Sequence, residues 1–148
     1  MNLIDLDNQT KLDIDIYGLD NIAKSLTNRV IELIITSNEH IQKLNLDHRE
    51  KDSPTDVLSF PIESFMSDDV SSTMPLGSIV ISEDFVKEKA EEFNHSKNDE
   101  LSLLFIHGLL HLLGYDHEVD SGKMREKEKE TIEAFNLPKS LIVRTEEF

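Results

Sequence analysis

Apolar and polar positions alternate by twos early in the chain and recur every three to four residues later. Leu3-Ile-Asp-Leu-Asp7 and Leu12-Asp-Ile-Asp-Ile-Tyr17 both alternate apolar with acidic residues, the period of a half-buried strand. They predict one long or two short strands, with a bend at Asn8-Gln-Thr10. After Gly18, the segment from Leu19 to Asn28 reads as a short amphipathic helix with Asp20 near its start. Val30-Ile-Glu-Leu-Ile-Ile35 is a β-branched run and the best strand in the sequence. Ser37 is a good N-cap for a helix whose apolar side holds Ile41 and Leu44. Asp52-Ser-Pro54 marks a loop, and Val57 to Phe60 a short strand closed by Pro61. The polar, serine-rich stretch from Ser64 to Pro75 reads as a surface loop. Leu76 to Ser82 returns to strand character and predicts a hairpin partner for the Val57 strand. Glu83 to Phe93 is a helix with Phe85, Val86, Ala90 and Phe93 inward. Ser96 to Asp99 resembles a cap, and Asp99 to Leu113 is a long helix, apolar nearly all round and therefore buried. Ser121 to Phe135 is a strongly charged helix, ended by Asn136-Leu-Pro138.

About four strands and about five helices, strands mostly early and helices mostly late, predict an α+β fold: a small mixed sheet packed with helices around one central buried helix. The 148 residues fit a single domain, with 38% hydrophobic and 30% charged residues as in an ordinary soluble protein. No cysteine is present, so any metal must be held by histidine and carboxylate. The N-terminus lacks the basic region and apolar run of a signal peptide, and the most apolar segment, Leu101 to Leu113, is too short to span a bilayer. A cytoplasmic protein without a membrane partner is expected. The formal charge of −15 repels nucleic acid at long range, so action on RNA requires a local basic cleft or a partner.

The central helix carries the candidate chemistry. His107-Gly-Leu-Leu-His111-Leu-Leu-Gly-Tyr-Asp-His117 has the pattern H-x3-H-x5-H. His107 and His111 lie one turn apart on one helical face, Gly114 offers the left-handed conformation that ends a helix, and the chain beyond it is able to bring His117 back. Three imidazoles and one open position make a catalytic zinc site; the plain alternative is a buried helix with two packed histidines and a third beyond it. The spacing also occurs in the metzincin signature H-E-x-x-H-x-x-G-x-x-H, with Gly114 at the shared glycine. Position 108, however, is glycine where those peptidases have the glutamate that serves as base. Gly108 either leaves room beside a metal for a bulky substrate or lets the helix pack closely on the sheet.

The same stretch resembles the H-G-x-L-H-L-x-G-Y-D-H signature of the YbeY family of metal-dependent endoribonucleases. Leu44-Asn45, Arg49 and Pro54-Thr-Asp-Val-Leu-Ser-Phe-Pro61 are similar to that family's L-N…R…P-T-D-V-L-S-F-P segment. Gly77-Ser-Ile-Val-Ile-Ser82 is similar to its G-D-I-x-I-S strand, except that Ser78 replaces the aspartate. The resemblance implies a single metal-dependent hydrolase domain over residues 1–148: a zinc-dependent endoribonuclease specific for single strands, acting in 16S ribosomal RNA 3′-end maturation and ribosome quality control. It implies one Zn²⁺ on His107, His111 and His117, a functional Arg49, and ribosomal RNA with small-subunit proteins as partners rather than DNA. A metallopeptidase and a non-catalytic zinc-containing assembly factor are the alternatives.

Other residues have two readings each. Arg49 and Lys51, in a loop feeding a strand, are placed to meet a phosphate or are solvated surface cations. Asp116 orients a metal-bound imidazole or shapes the Gly-Tyr-Asp turn. His40, His48 and His95 read as surface residues, His48 being the one to test for a substrate contact. The helix from Lys123 to Glu133 reads as a solvated face with i,i+4 pairs. No general base is identifiable, so the nucleophile is either water or an RNA 2′-OH.

Overall fold

A computed structural model describes residues 2–62, 74–116 and 122–145, which form one α+β unit. Its elements run β1 (Ile4–Asn8), α1 (Ile16–Leu26), β2 (Ile31–Thr36), α2 (Asn38–Arg49), β3 (Val57–Pro61), β4 (Gly77–Ser82), α3 (Glu83–Glu92), α4 (Lys97–Leu112), α5 (Lys123–Ala134) and α6 (Ser140–Thr145). The strands form one mixed sheet in the order β1-β2-β4-β3. β1, β2 and β4 are parallel, and β3 pairs antiparallel with β4 as the hairpin pattern predicts, with Val57 opposite Ile81 and Pro61 opposite Gly77. The surface loop expected from Ser64 to Pro75 lies largely outside the described residues.

Side-chain alternation gives the sheet two unlike faces. Ile31, Leu33 and Ile35 of β2 and Ile79 and Ile81 of β4 are fully buried in the main core with Leu103, Leu104, Phe105 and Leu109 of α4. The opposite face holds a smaller cluster of Leu58, Val80 and Ile41, flanked by Ile34, Leu44 and Phe60. α4 therefore lies on one face of the sheet and α2 on the other. Burial on both faces explains why Ile79, Val80 and Ile81 of β4 run consecutively instead of alternating with polar residues.

Helix starts follow their caps. Ser37 and Ser82 accept from the backbone N–H groups of His40 and Phe85, and Ser96 with Asp99 closes a reciprocal capping box on α4. The second strand expected at Leu12–Tyr17 is absent. Asp15 instead caps α1, which begins at Ile16, its side chain accepting from Gly18 N–H at 3.2 Å. The backbone polar groups of this stretch turn to Asn98 of α4: Asp15 N–H donates to Asn98 Oδ1 at 3.0 Å, and Asn98 Nδ2 donates to the Asp13 carbonyl at 3.2 Å. The acidic alternation reflects a cap and an anchoring loop. α6, with Leu141 fully buried, is one helix more than the pattern predicts.

Three further expectations are corrected. Arg49 is the last residue of α2, not part of a loop; the chain turns after it through Glu50, whose φ is +59°. α5 is not a solvated face throughout, because Met124, Glu128, Thr131 and Ile132 are buried. His95 is not a surface residue. Its ring is enclosed, with Nδ1 2.9 Å from Ser140 Oγ and Nε2 2.9 Å from the buried Glu100 Oε1.

Asp20 is a buried carboxylate with a cationic partner. Burial pushes its carboxyl upward, but the Lys24 ammonium at 2.9 Å and the Leu3 N–H at 2.7 Å outweigh that and hold it below the ordinary aspartate value.

Candidate metal centre

The site is built on the last two turns of α4. The capping box fixes the start of this helix, and burial of nearly every residue from Leu101 onward fixes its rotation against the sheet. Gly108 sets the depth. A Cβ added there would lie 2.9 Å from Ile79 Cγ2 and 3.4 Å from Val57 Cγ2, so the glycine serves close packing of helix on sheet. A side chain at 108 would force Ile79 to shift, and the glutamate base of the peptidase signature is absent from this chain. The helix ends as its sequence predicts: Gly114 has φ +100°, and the N–H groups of Gly114 and Tyr115 donate to the His111 and Leu110 carbonyls, each at 3.0 Å.

His107 and His111, one turn apart on α4, bring their rings together. Their Nε2 atoms lie 3.2 Å apart, with ring planes 84° from one another. Two nitrogens bound at zinc distances and a tetrahedral angle sit roughly 3.3 Å apart, so the pair matches the edge of such a site. Two lone pairs cannot face each other at this separation without a proton or a cation between them. The donor set, two imidazoles and no thiolate, suits zinc. Among the described residues no group of three metal-ligating side chains assembles; His117, the third expected ligand, lies outside them.

A carboxylate stands behind the pair. His107 Nδ1 is 2.8 Å from Glu128 Oε1 of α5, with both side chains almost wholly enclosed, at 6% and 2% exposure. Glu128 Oε2 is buried and has no hydrogen-bond partner among the described residues. The sequence reading missed Glu128. The signal available was its spacing, since Met124, Glu128, Thr131 and Ile132 follow the i, i+4, i+7, i+8 rule of an inward stripe.

The remaining candidates sit on α2 and β4. Arg49 is exposed at the end of α2, on the other face of the sheet, beside the edge strand β3, and among the described residues its side chain forms no hydrogen bond or ion pair. Its neighbour His48 packs its ring against Phe60 at 4.9 Å. Ser78, which replaces the expected aspartate, also points away from α4 and donates to Glu32 Oε1 at 2.8 Å, so this replacement leaves the histidine pair untouched. His40 is half-buried against Thr36 Oγ1 at 2.9 Å. A concavity of about 920 Å³, lined by Lys11, Lys87, His95 and Asn98 among others, opens at the far end of α4 and does not include the histidine pair.

Fold and site define a class: a small α+β domain whose buried central helix offers a converging imidazole pair backed by a carboxylate. Residues 7–136 match the family described as Endoribonuclease YbeY. The chain is 61% identical over 144 residues to an endoribonuclease YbeY of Sulfurovum sp. (strain NBC37-1), covering 97% of this chain and 98% of that one. It is 59% identical over 143 residues to an endoribonuclease YbeY of Aliarcobacter butzleri, covering 96% and 99%. The solution structure of TM1509 from Thermotoga maritima superposes with a TM-score of 0.58 at 34% identity, covering 89% of this chain and 88% of that one. The chain belongs to the endoribonuclease YbeY family, and this membership supports an endoribonuclease role.

Proposed function

We propose that the chain is a cytoplasmic, zinc-dependent endoribonuclease specific for single strands, acting in 16S ribosomal RNA 3′-end maturation and ribosome quality control. Family membership supports the RNA cleavage, and the 3.2 Å convergence of His107 Nε2 and His111 Nε2 is the observation that carries the metal. These two residues and His117 hold one zinc ion. Ribosomal RNA and small-subunit proteins are the partners. Among the described residues no helix is long and apolar enough to cross a membrane, which accords with this setting.

Zinc held there supplies Lewis acidity toward a phosphodiester oxygen or water. The chain's own groups do the rest. Arg49 grips a backbone phosphate with its forked N–H donors and offsets charge that develops on phosphorus. Its weight is large because the −15 charge of the chain repels a polyanion elsewhere. Gly108 contributes no base, and Glu128 is turned inward to His107.

RNA cleavage by wild-type, metal-stripped and Arg49→Ala proteins tests this reading. Stripping abolishes cleavage and added zinc restores it, while Arg49→Ala lowers the rate by roughly a hundredfold, the loss typical of one charge-stabilising donor. Unchanged cleavage by both altered proteins would reject catalysis at this site, and a wild type that cleaves no RNA would leave the non-catalytic assembly factor.

A further inference from the structure

We propose that Glu128 is a positioning residue for metal binding: it fixes the tautomer of His107 so that the Nε2 lone pair faces His111. The assignment rests on the zinc reading above and deepens it. The assignment makes Glu128 Oε1 the acceptor and His107 Nδ1–H the donor across their 2.8 Å contact. A neutral imidazole with its proton on Nδ1 leaves Nε2 as an acceptor and a metal donor. That Nε2 is the atom 3.2 Å from His111 Nε2. The proton on one side of the ring thus determines what the other side is able to bind.

Burial strengthens the case. Glu128 is 1% exposed and its Oε2 is without a partner among the described residues, an expensive state for a buried polar atom. Among the described residues no Lys or Arg pairs with it; its partner is His107. A metal ion held by His107 Nε2 would offset that cost through the ring. The same enclosure separates Glu128 from any substrate. It acts through His107 and is not the missing base.

The arrangement also gives α5 a function. This helix returns to α4 after the segment that carries His117, and its inward stripe of Met124, Glu128, Thr131 and Ile132 places the carboxylate behind the ring. The metal site is then assembled from one helix supplying imidazoles and a second, 21 residues on from His107 at Glu128, supplying their orientation.

The test compares wild type with Glu128→Gln, using zinc affinity by chelator competition and the His107 tautomer by long-range nitrogen–proton correlation in zinc-free protein. Wild-type His107 carries its proton on Nδ1. Glutamine, which both donates and accepts, removes that bias, and zinc affinity falls by roughly 10- to 100-fold. Equal zinc affinity in wild type and folded E128Q overturns this assignment alone. A wild type that takes up no zinc overturns the metal reading and the assignment with it. If E128Q does not fold, the wild-type tautomer decides: a proton on Nε2 of His107 contradicts the proposal, and one on Nδ1 supports it.

Discussion

α4 has a buried histidine–glutamate pair at each end, and the two do different things. At its start, His95 lies between Glu100 Oε1 and Ser140 Oγ, 2.9 Å from each, so both ring nitrogens are used within the protein. Near its finish, His107 gives one nitrogen to Glu128 at 2.8 Å and turns the other toward His111 at 3.2 Å. The first arrangement is closed. It ties α6 and the turn after α3 to the first turn of α4, and its chemistry ends there. The second differs in its partner, because the second nitrogen of His107 meets another imidazole, the kind of pair that suits a metal ion. A buried histidine–carboxylate pair is therefore no mark of function by itself; the direction of the remaining nitrogen decides.

Substitutions at the two ends separate these roles. His95→Ala leaves Glu100 buried without its imidazole partner and should cost about 3 kcal/mol, the low end for breaking a buried pair. Zinc content and RNA cleavage of the folded protein should stay at wild-type values, since nothing at His107 changes. Denaturant unfolding beside a cleavage assay checks both. Lost cleavage in a folded His95→Ala protein would erase the distinction between the two ends.

A smaller effect comes from Asp20, a buried carboxylate with an ammonium partner. Asp20→Asn keeps an acceptor for Leu3 N–H but loses the Lys24 pair, so stability should fall by about 1 kcal/mol at pH 7. Because the folded carboxyl titrates below its ordinary value, its contribution is complete above the ordinary aspartate range and disappears as pH falls through the folded value. The gap between wild type and variant therefore narrows as pH falls below the ordinary aspartate range. Unfolding curves at pH 7 and pH 3 measure it, and a gap that widens in acid would contradict the assignment.

Local signals in the sequence were reliable where local physics decides. Ser37, Ser96 and Gly114 mark helix ends through their own side chains or backbone, and they are found in those roles. The Val30 and Leu76 runs are strands because β-branched residues fill a sheet buried on both faces. Leu12 to Tyr17 misled because alternation says nothing about what the alternating acids bond; Asp15 had a helix to cap. The histidine pair was legible from an i,i+4 spacing, whereas its carboxylate lay 21 residues on, inside a run of charges that hides an inward stripe. His95 was invisible for the same reason. Its partners come from two other helices, and no local pattern announces a contact across 45 residues to Ser140.

The most direct test of the central claim is the zinc content of purified protein, measured together with single-stranded RNA cleavage, in wild type and His111→Ala. About one zinc per wild-type chain is expected, as for a single three-histidine site. Both the metal and the cleavage should be lost when His111 is removed. Zinc-free wild type that cleaves RNA, or a His111→Ala protein unchanged in both respects, would contradict the account.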